Sequence, residues 1–100
     1  MIDRHPSVAP VHPGELLRED VLPALSTAAA VAEALKISRQ ALYDILNEKQ
    51  PVTAEIAVRF GKLFGNGPGF WVNLQRAYDL AIAQQSVDVS EIPTLEVCPG

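Results

Sequence analysis

Apolar residues recur along the chain at helical spacing, and the clearest run begins after Thr53. Its apolar members are Ile56, Phe60, Leu63 and Phe64. They fall at i, i+4, i+7 and i+8, so they share one face of a helix. Thr53 is a favourable N-cap residue, and the glycines that follow Phe64 end the helix. The pattern predicts an amphipathic helix that packs on a core.

Prolines, glycines and hydroxyl residues divide the rest of the chain into four more helical segments. The first opens at His12-Pro13-Gly14 and ends at Pro23; the second runs from a Ser26 or Thr27 cap to Leu35; the third runs from a Ser38 cap to about Asn47; the last begins at Pro68 and ends near residue 84. Proline suits a first helical turn and stops a helix in its interior. We therefore predict an all-α domain of five helices over residues 12–85.

Two segments lie outside this domain. Residues 1–11 form an N-terminal arm, and residues 86–100 form a C-terminal tail with prolines at 93 and 99. Val87 and Val89 alternate with polar residues, which is typical of a short strand or of a loosely ordered segment. Both alternatives stay open on the sequence alone.

The second and third helices, over residues 28–47, are joined by Lys36-Ile37 alone. So short a link sets two helices at a steep angle, as in a helix-turn-helix unit. Ala32 falls where the helices cross, and a small side chain there permits close approach. The predicted buried set that fixes the angle is Val31, Leu35, Ile37, Leu42 and Ile45.

The third helix presents a polar face that suits DNA. Its outward residues are Arg39, Gln40, Tyr43, Asp44 and Asn47. Arginine can donate two hydrogen bonds to guanine, and glutamine or asparagine can pair with adenine in the same bidentate way. On an arbitrary helix such residues would be ordinary solvated surface, but the preceding turn favours base recognition. Asp44 conflicts with this interpretation, because its carboxylate repels phosphate unless it binds cytosine or points aside.

The net charge of −4 at first argues against nucleic acid, yet the charge is unevenly placed. Residues 36–62 carry five basic and three acidic side chains, whereas the segments on either side are each acidic overall. Phosphate contacts need lysine and arginine. A single basic middle third is consistent with one DNA-binding face and other faces that bind proteins.

Three segments resemble the HigA family of antitoxins, within the larger Cro/repressor-like (XRE) group of helix-turn-helix proteins. They are HPGELL (His12–Leu17), ISRQALYDILNEKQPVTAEIAVRFGKLFG (Ile37–Gly65) and GFWVNLQRAYDL (Gly69–Leu80). The resemblance spans roughly residues 10–82, and the first and last segments are what narrow it to HigA. The chain departs from the pattern at Lys36, where a left-handed glycine is usual. If Lys36 keeps the left-handed geometry, it lowers the stability of the fold by up to ~1 kcal/mol relative to glycine.

The resemblance implies a homodimer that binds a palindromic operator in its own promoter and silences a HigB-type toxin that cleaves messenger RNA. Carried over by residue, the base-reading positions are Arg39, Gln40, Tyr43 and Asn47, and the phosphate contacts or caps are Thr27, Ser38, Lys49 and Thr53. The last helix, about residues 68–84, is expected to form the dimer interface through Phe70, Trp71, Leu74 and Tyr78. Two alternatives are a stand-alone regulator and a protein-interaction module that has lost DNA binding.

Other chemistry finds little support. His12 near Glu15 lacks further metal ligands, so we expect it to cap or pack the first helix, and we expect no metal or other cofactor. Trp71 and Tyr78 could stack on bases, but their rich apolar face favours the core or a dimer seam. Cys98 is a lone tail cysteine. No catalytic constellation, signal peptide or membrane-spanning run is evident, so we expect a cytoplasmic protein that is not an enzyme.

Overall fold

The protein folds as a set of short helices, described here by a computed structural model that covers residues 10–22 and 27–95. Within these residues the helices are α1 (Pro13–Leu16, continued by a π-helical turn over Leu17–Val21), α2 (Ala28–Leu35), α3 (Arg39–Leu46), α4 (Ala54–Phe64) and α5 (Pro68–Ser86). The predicted all-α fold is confirmed. The short strand considered for the tail does not form over residues 87–95. The arm as far as residue 9, Pro23, Ser26 and Cys98 lie outside the described residues.

The starts of the three central helices are fixed by hydroxyl side chains. The oxygens of Thr27, Ser38 and Thr53 accept a hydrogen bond from the backbone N–H three residues later, at 3.2, 3.0 and 3.3 Å respectively. Each bond satisfies one of the N–H groups that a helix start leaves without a partner, and is worth about 1 kcal/mol. The local sequence therefore defines where α2, α3 and α4 begin.

The centre of the core is an aromatic cluster between α4 and α5. Phe60 and Trp71 are fully buried, and their rings meet edge to face with centroids 5.1 Å apart. Phe64 and Phe70 lie against the same indole at 5.7 and 5.1 Å. The indole N–H donates to the side-chain oxygen of Asn66 at 2.9 Å, so burying this polar group leaves no unmet hydrogen bond.

This burial bears on the dimer interface expected from the sequence. Trp71 exposes no surface in its own chain, so of the two places that the sequence left open for it, the core or a dimer seam, it lies in the core. Its ring completes the core of its own chain. Phe70 remains 44% exposed, and Leu74 and Tyr78 are half-buried, so these three residues stay available for an interface.

Two glycines allow helices to approach more closely than any side chain would permit. A Cβ atom on Gly14 would lie 1.8 Å from the carbonyl oxygen of Ile45, where α1 meets the end of α3. A Cβ atom on Gly61 would lie 2.4 Å from the backbone that leads into α5. These contacts lock α1 onto the helix-turn-helix unit and α5 onto α4.

The longest helix, α5, has 19 residues, and its two halves differ. Its first half supplies Trp71 and Gln75 to the interior, whereas Leu80 and Ile82 in its second half are 57% and 39% exposed. Despite this length, no helix in the described part of the chain is apolar enough to span a membrane.

Candidate nucleic-acid interface

The turn between α2 and α3 keeps the geometry that usually calls for glycine. Lys36 has φ 63° and ψ 37°, in the left-handed region. Its N–H donates to the carbonyl of Glu33, and the N–H of Ile37 donates to that of Ala32, both at 3.1 Å. These two bonds make up a Schellman motif. The turn is therefore formed in full, and lysine bears the strain of the left-handed backbone.

Two arginines hold the C-terminal ends of the helix-turn-helix pair. Arg59 of α4 donates through Nη1 to the carbonyl of Leu35 at 2.9 Å, and Arg18 donates through Nη1 to the carbonyl of Leu46. The last carbonyls of a helix lack partners within it and carry partial negative charge, so a guanidinium stabilises them. Each arginine comes from a helix outside the pair and fixes one of its members in place.

Carboxylates hold both arginines in turn. Arg59 forms an ion pair with Glu55 at 3.2 Å, and Arg18 forms ion pairs with Glu19 at 3.1 Å and Glu48 at 3.4 Å. The hydrogen bond that Arg18 donates to Glu19 is the main cause that raises the pKa of Arg18. Sequence reasoning missed both roles, because each arginine binds a carbonyl 24 or 28 residues away and nothing local marks the pairing. Arg59 therefore contributes to the architecture, although its charge was counted toward the basic middle third.

The predicted base-reading residues are all exposed. Arg39, Gln40 and Tyr43 lie on α3, and Asn47 is the residue that ends it. Positions 39, 40, 43 and 47 recur at helical spacing, so they share the side opposite the buried Leu42, Ile45 and Leu46. The structure thus places on one side of one helix the donors and acceptors that could reach base edges.

Gln40 and Asp44 contact each other on this surface. The side-chain nitrogen of Gln40 donates to a carboxylate oxygen of Asp44 at 2.8 Å. The residues are four apart, so they are neighbours on the helix. Asp44 therefore points along the helix toward Gln40, which is the sideways orientation considered for it from the sequence.

The loop after α3 carries Lys49 and is anchored from two directions. The backbone N–H groups of Lys49 and Gln50 both donate to the carbonyl of Asp44, at 2.7 and 3.2 Å. From α5, the buried Gln75 accepts from the N–H of Val52 at 2.7 Å and donates to Asp79 at 2.9 Å. A polar residue such as glutamine in the middle of a helix is normally expected on the surface, so the sequence analysis did not predict this hydrogen bond between α5 and the loop.

The predicted phosphate contacts lie at helix starts and in the same loop. Thr27, Ser38 and Thr53 are exposed N-caps of α2, α3 and α4, and Lys49 is exposed between α3 and α4. A helix N-terminus directs backbone N–H groups and positive potential outward, which suits a phosphate. The structure thus shows three of these residues as helix caps and the fourth as an exposed lysine. Their contact with DNA stays a prediction.

His12 caps the first helix, as expected. Its Nδ1 accepts from the N–H of Gly14 at 2.8 Å, and its ring meets the edge of Tyr78 with centroids 4.9 Å apart. Burial is the main cause that lowers the pKa of His12, while the carboxylates of Glu48 and Asp79 act in the opposite direction. The neutral ring is the form that fits, because only an unprotonated Nδ1 can accept this bond.

Known proteins share both this sequence and this fold. No family model matches the chain. An addiction module antidote protein of the HigA family from Coxiella burnetii is 35% identical and superposes with a TM-score of 0.81, over 89% of this chain and 100% of that one. Antitoxin HigA-1 of Vibrio cholerae is 36% identical over 72 residues, which make up 71% of this chain and 68% of that protein.

The chain belongs to the HigA family of antitoxins. The structure of another HigA, the Pseudomonas aeruginosa antitoxin with the higBA promoter, is 36% identical and has a TM-score of 0.75, over 86% of this chain and 99% of that one. Further relatives of this HigA-family protein are helix-turn-helix transcriptional regulators. The resemblance read from the sequence is confirmed. Its relatives are antitoxins and regulators of transcription rather than enzymes, in agreement with the expectation from the sequence.

Proposed function

We propose that this protein is the antitoxin of a toxin–antitoxin pair, that it represses transcription by binding its own operator as a dimer, and that it neutralises a HigB-type mRNA-cleaving toxin. The proposal that the protein binds DNA rests on the fully formed α2–α3 unit, whose exposed face holds Arg39 and Gln40. The Pseudomonas aeruginosa relative, which shares this fold, has a solved structure with the higBA promoter. The protein would act in the cytoplasm, where both operator and messenger RNA are found.

In this proposal α3 enters the major groove with its N-terminal end first. Arg39 reads guanine, Gln40 reads adenine, and Tyr43 and Asn47 contact the neighbouring bases or the sugar edge. Lys49 and the N-caps Thr27, Ser38 and Thr53 hold phosphates on either side. The number of cations is small, so the affinity should depend only modestly on salt.

Dimerisation follows from the geometry of palindromic sites. Two recognition helices related by a two-fold axis must lie about 34 Å apart to enter successive major grooves. Phe70, Leu74 and Tyr78 on α5 supply the apolar surface for that contact, and Phe70 is the most exposed of them. We expect these three residues at the interface, with Trp71 beneath them in the core.

The toxin-binding surface is expected on the last part of the chain. Residues 77–100 contain no lysine or arginine but four carboxylates. The same segment exposes large apolar side chains: Leu80, Ile82, Val87, Val89, Ile92 and Leu95. A protein that cleaves RNA must itself carry positive charge to bind a polyanion. An acidic, apolar surface is complementary to such a partner.

The stand-alone regulator is the second candidate, and it is favoured by the transcriptional regulators among the relatives. It shares every DNA contact proposed above and differs only in lacking a toxin. Co-expression with the neighbouring small open reading frame separates the two. An antitoxin should copurify with that product and restore growth, whereas a stand-alone regulator should do neither.

DNA binding is tested by titrating the protein against a duplex from its own promoter and a scrambled duplex at several salt concentrations. We expect the promoter to bind at least about 10³ times more tightly than the scrambled duplex.

Arg39→Ala should weaken promoter binding by ~1–3 kcal/mol per half-site. Lys49→Ala should weaken binding to both duplexes alike and lower the slope of affinity against salt by about one per half-site. Arg76→Ala is the control, because Arg76 is exposed on α5. Equal binding of both duplexes by the wild type would disprove the repressor role.

Toxin binding is tested with two valines of equal exposure. Val89 in the tail and Val58 on α4 are both 59% exposed. Val89→Asp should weaken toxin capture, because it places a charge within the proposed apolar contact, while promoter binding should persist. Val58→Asp should leave toxin capture unchanged. If Val58→Asp weakens toxin capture and Val89→Asp does not, the toxin-binding surface lies on α4 instead of the tail.

A further inference from the structure

The exposed side of α3 contains one group that the proposed DNA contacts do not use, the carboxylate of Asp44. Within the described residues it takes part in no ion pair, so its negative charge is not neutralised by a neighbouring side chain. A free carboxylate beside phosphates weakens binding. Among the described residues, its carboxylate accepts one side-chain hydrogen bond, donated by Gln40 at 2.8 Å.

That bond limits which way the Gln40 amide can face. A glutamine amide has an oxygen that accepts and an NH₂ group that donates, and a free side chain can exchange the two by rotation. A carboxylate only accepts, so it holds the nitrogen of Gln40 toward Asp44 and turns the oxygen away. The oxygen and the second N–H hydrogen remain available to a base.

The fixed amide suits one purine and not the other. Adenine offers an acceptor at N7 and a donor at N6, which match the remaining N–H and the oxygen of Gln40. Guanine offers acceptors at both N7 and O6, so the amide oxygen would face O6 with no hydrogen between them. A freely rotating glutamine could turn its NH₂ group to O6 and bind guanine.

We propose that Asp44 is a specificity-determining residue, which orients the Gln40 amide so that it accepts adenine and rejects guanine. This inference rests on the proposed function, since it assigns α3 to the major groove. Asp44 acts as a positioning residue and lowers overall affinity through its charge. The loss of affinity applies to every sequence, whereas the orientation of Gln40 affects one base pair per half-site, so the combined effect is higher selectivity.

The test compares wild type, Asp44→Asn, Gln40→Ala and the double variant on one set of duplexes. The starting duplex is selected by the wild type from a randomised library, and each position of one half-site is then replaced by every other base pair. Asparagine keeps the shape of Asp44, removes its charge and can pair with either end of the Gln40 amide. Glu33→Gln is the control for charge, because Glu33 is exposed on α2 and lies seven residues before Gln40.

We expect the wild type to prefer adenine over guanine about tenfold at one position. Asp44→Asn should reduce that preference to about threefold or less, while it binds the scrambled duplex a few times more tightly. Gln40→Ala should remove the preference at the same position, and adding Asp44→Asn to it should change the preference no further. Glu33→Gln should keep the wild-type preference.

Two results would overturn the inference while leaving the proposed function intact. One is an Asp44→Asn variant that strengthens binding to all duplexes and retains the adenine preference. The other is a loss of preference at a base pair that Gln40→Ala does not affect. A wild type that selects no sequence from the library would instead refute DNA recognition itself, and the inference with it.

A measurement on the free protein checks the orientation without DNA. In the NMR spectrum of the wild type, the two side-chain NH₂ protons of Gln40 should have well-separated chemical shifts, because one hydrogen is bound to Asp44 and the other is free. In Asp44→Asn they should move toward the values of a freely rotating glutamine. Unchanged resonances in that variant would show that Asp44 does not orient the amide.

Discussion

The α2–α3 unit and the segment after residue 79 are two regions of one short chain with opposite designs. In α2–α3, hydroxyl caps fix both helix starts, Arg59 and Arg18 hold both ends, and the turn completes its Schellman bonds. In the later segment the large apolar side chains stay exposed, from Ile82 at 39% to Leu95 at 74%.

The difference agrees with the role proposed for each region. Base recognition requires side chains that are held within a fraction of an ångström. The long-range hydrogen bonds of the fold accordingly fix the two helices that hold the proposed base-reading side chains. An apolar surface with few contacts of its own is free to be covered by a partner. Substitutions should therefore be costly in the first region and its supports, and nearly neutral in the second.

The largest effect should come from the core that supports the helix pair. Trp71→Ala removes a fully buried ring that packs on Phe60, and should lower the free energy of unfolding by ~3–5 kcal/mol. Ile92→Ala, at a residue 65% exposed in the tail, should change it by less than about 0.5 kcal/mol. Urea denaturation followed by circular dichroism measures both. A similar loss for the two variants would contradict the contrast between the regions.

The close contact between α1 and α3 predicts the next effect. Gly14→Ala places a Cβ atom 1.8 Å from the Ile45 carbonyl oxygen, so α1 must move away, at a cost of about 3 kcal/mol. Gly69→Ala is the matched control, since its Cβ atom would meet nothing within 4 Å. That change should be neutral or stabilise by up to about 1 kcal/mol, because alanine favours a helix. Thermal denaturation of both variants tests the contact, and an unaffected Gly14→Ala would refute it.

The strained turn offers a substitution that should stabilise. Lys36→Gly relieves a left-handed lysine at φ 63° and should raise the free energy of unfolding by up to ~1 kcal/mol. Lys36→Asn should give a smaller gain, because asparagine tolerates this region better than lysine does. A loss of stability with glycine would mean that the lysine side chain makes a compensating contact.

The smallest effect concerns pH. Burial lowers the pKa of folded His12 below its ordinary value of 6.5, so just below that pH the unfolded chain binds more protons than the folded one. Stability should therefore be complete above about pH 6.5 and fall as the pH drops. Protonation of Nδ1 ends its bond to Gly14, a cap worth about 1 kcal/mol.

Two variants isolate this titration. His12→Asn retains an oxygen acceptor that can cap the helix and does not titrate, so its unfolding free energy should vary less between pH 7 and 5. His5→Ala removes the other histidine of the chain and should keep the wild-type slope. If the slope disappears with His5→Ala instead, the titrating group is not His12.

Most of the fold could be predicted from the sequence because its determinants are local. The caps Thr27, Ser38 and Thr53 lie directly before the helices they start, and the apolar stripe from Ile56 to Phe64 is regular. Such features act within a few residues, so a linear reading finds them.

The parts of the site that escaped prediction depend on long-range contacts. Arg18, Arg59 and Gln75 each bind backbone 23 to 28 residues away, and only the folded chain brings these groups together. For Trp71 the sequence left the core and a dimer seam open, because an apolar face does not reveal whether it covers its own core or a partner. The side chains predicted to read DNA are exposed on one side of α3, and their contacts with DNA stay a prediction.

The buried indole also gives the protein an optical reporter of its own. The chain has one tryptophan, and it is enclosed by Phe60, Phe64 and Phe70 with its N–H bound to Asn66. Its emission should be blue-shifted in the native state and should move to longer wavelength only when the core opens. Because the ring lies inside the fold, DNA added to the folded protein should leave the spectrum nearly constant. One sample of unlabelled protein with a dye-labelled duplex can therefore report folding through tryptophan emission and DNA binding through the dye, with no overlap between the two readings.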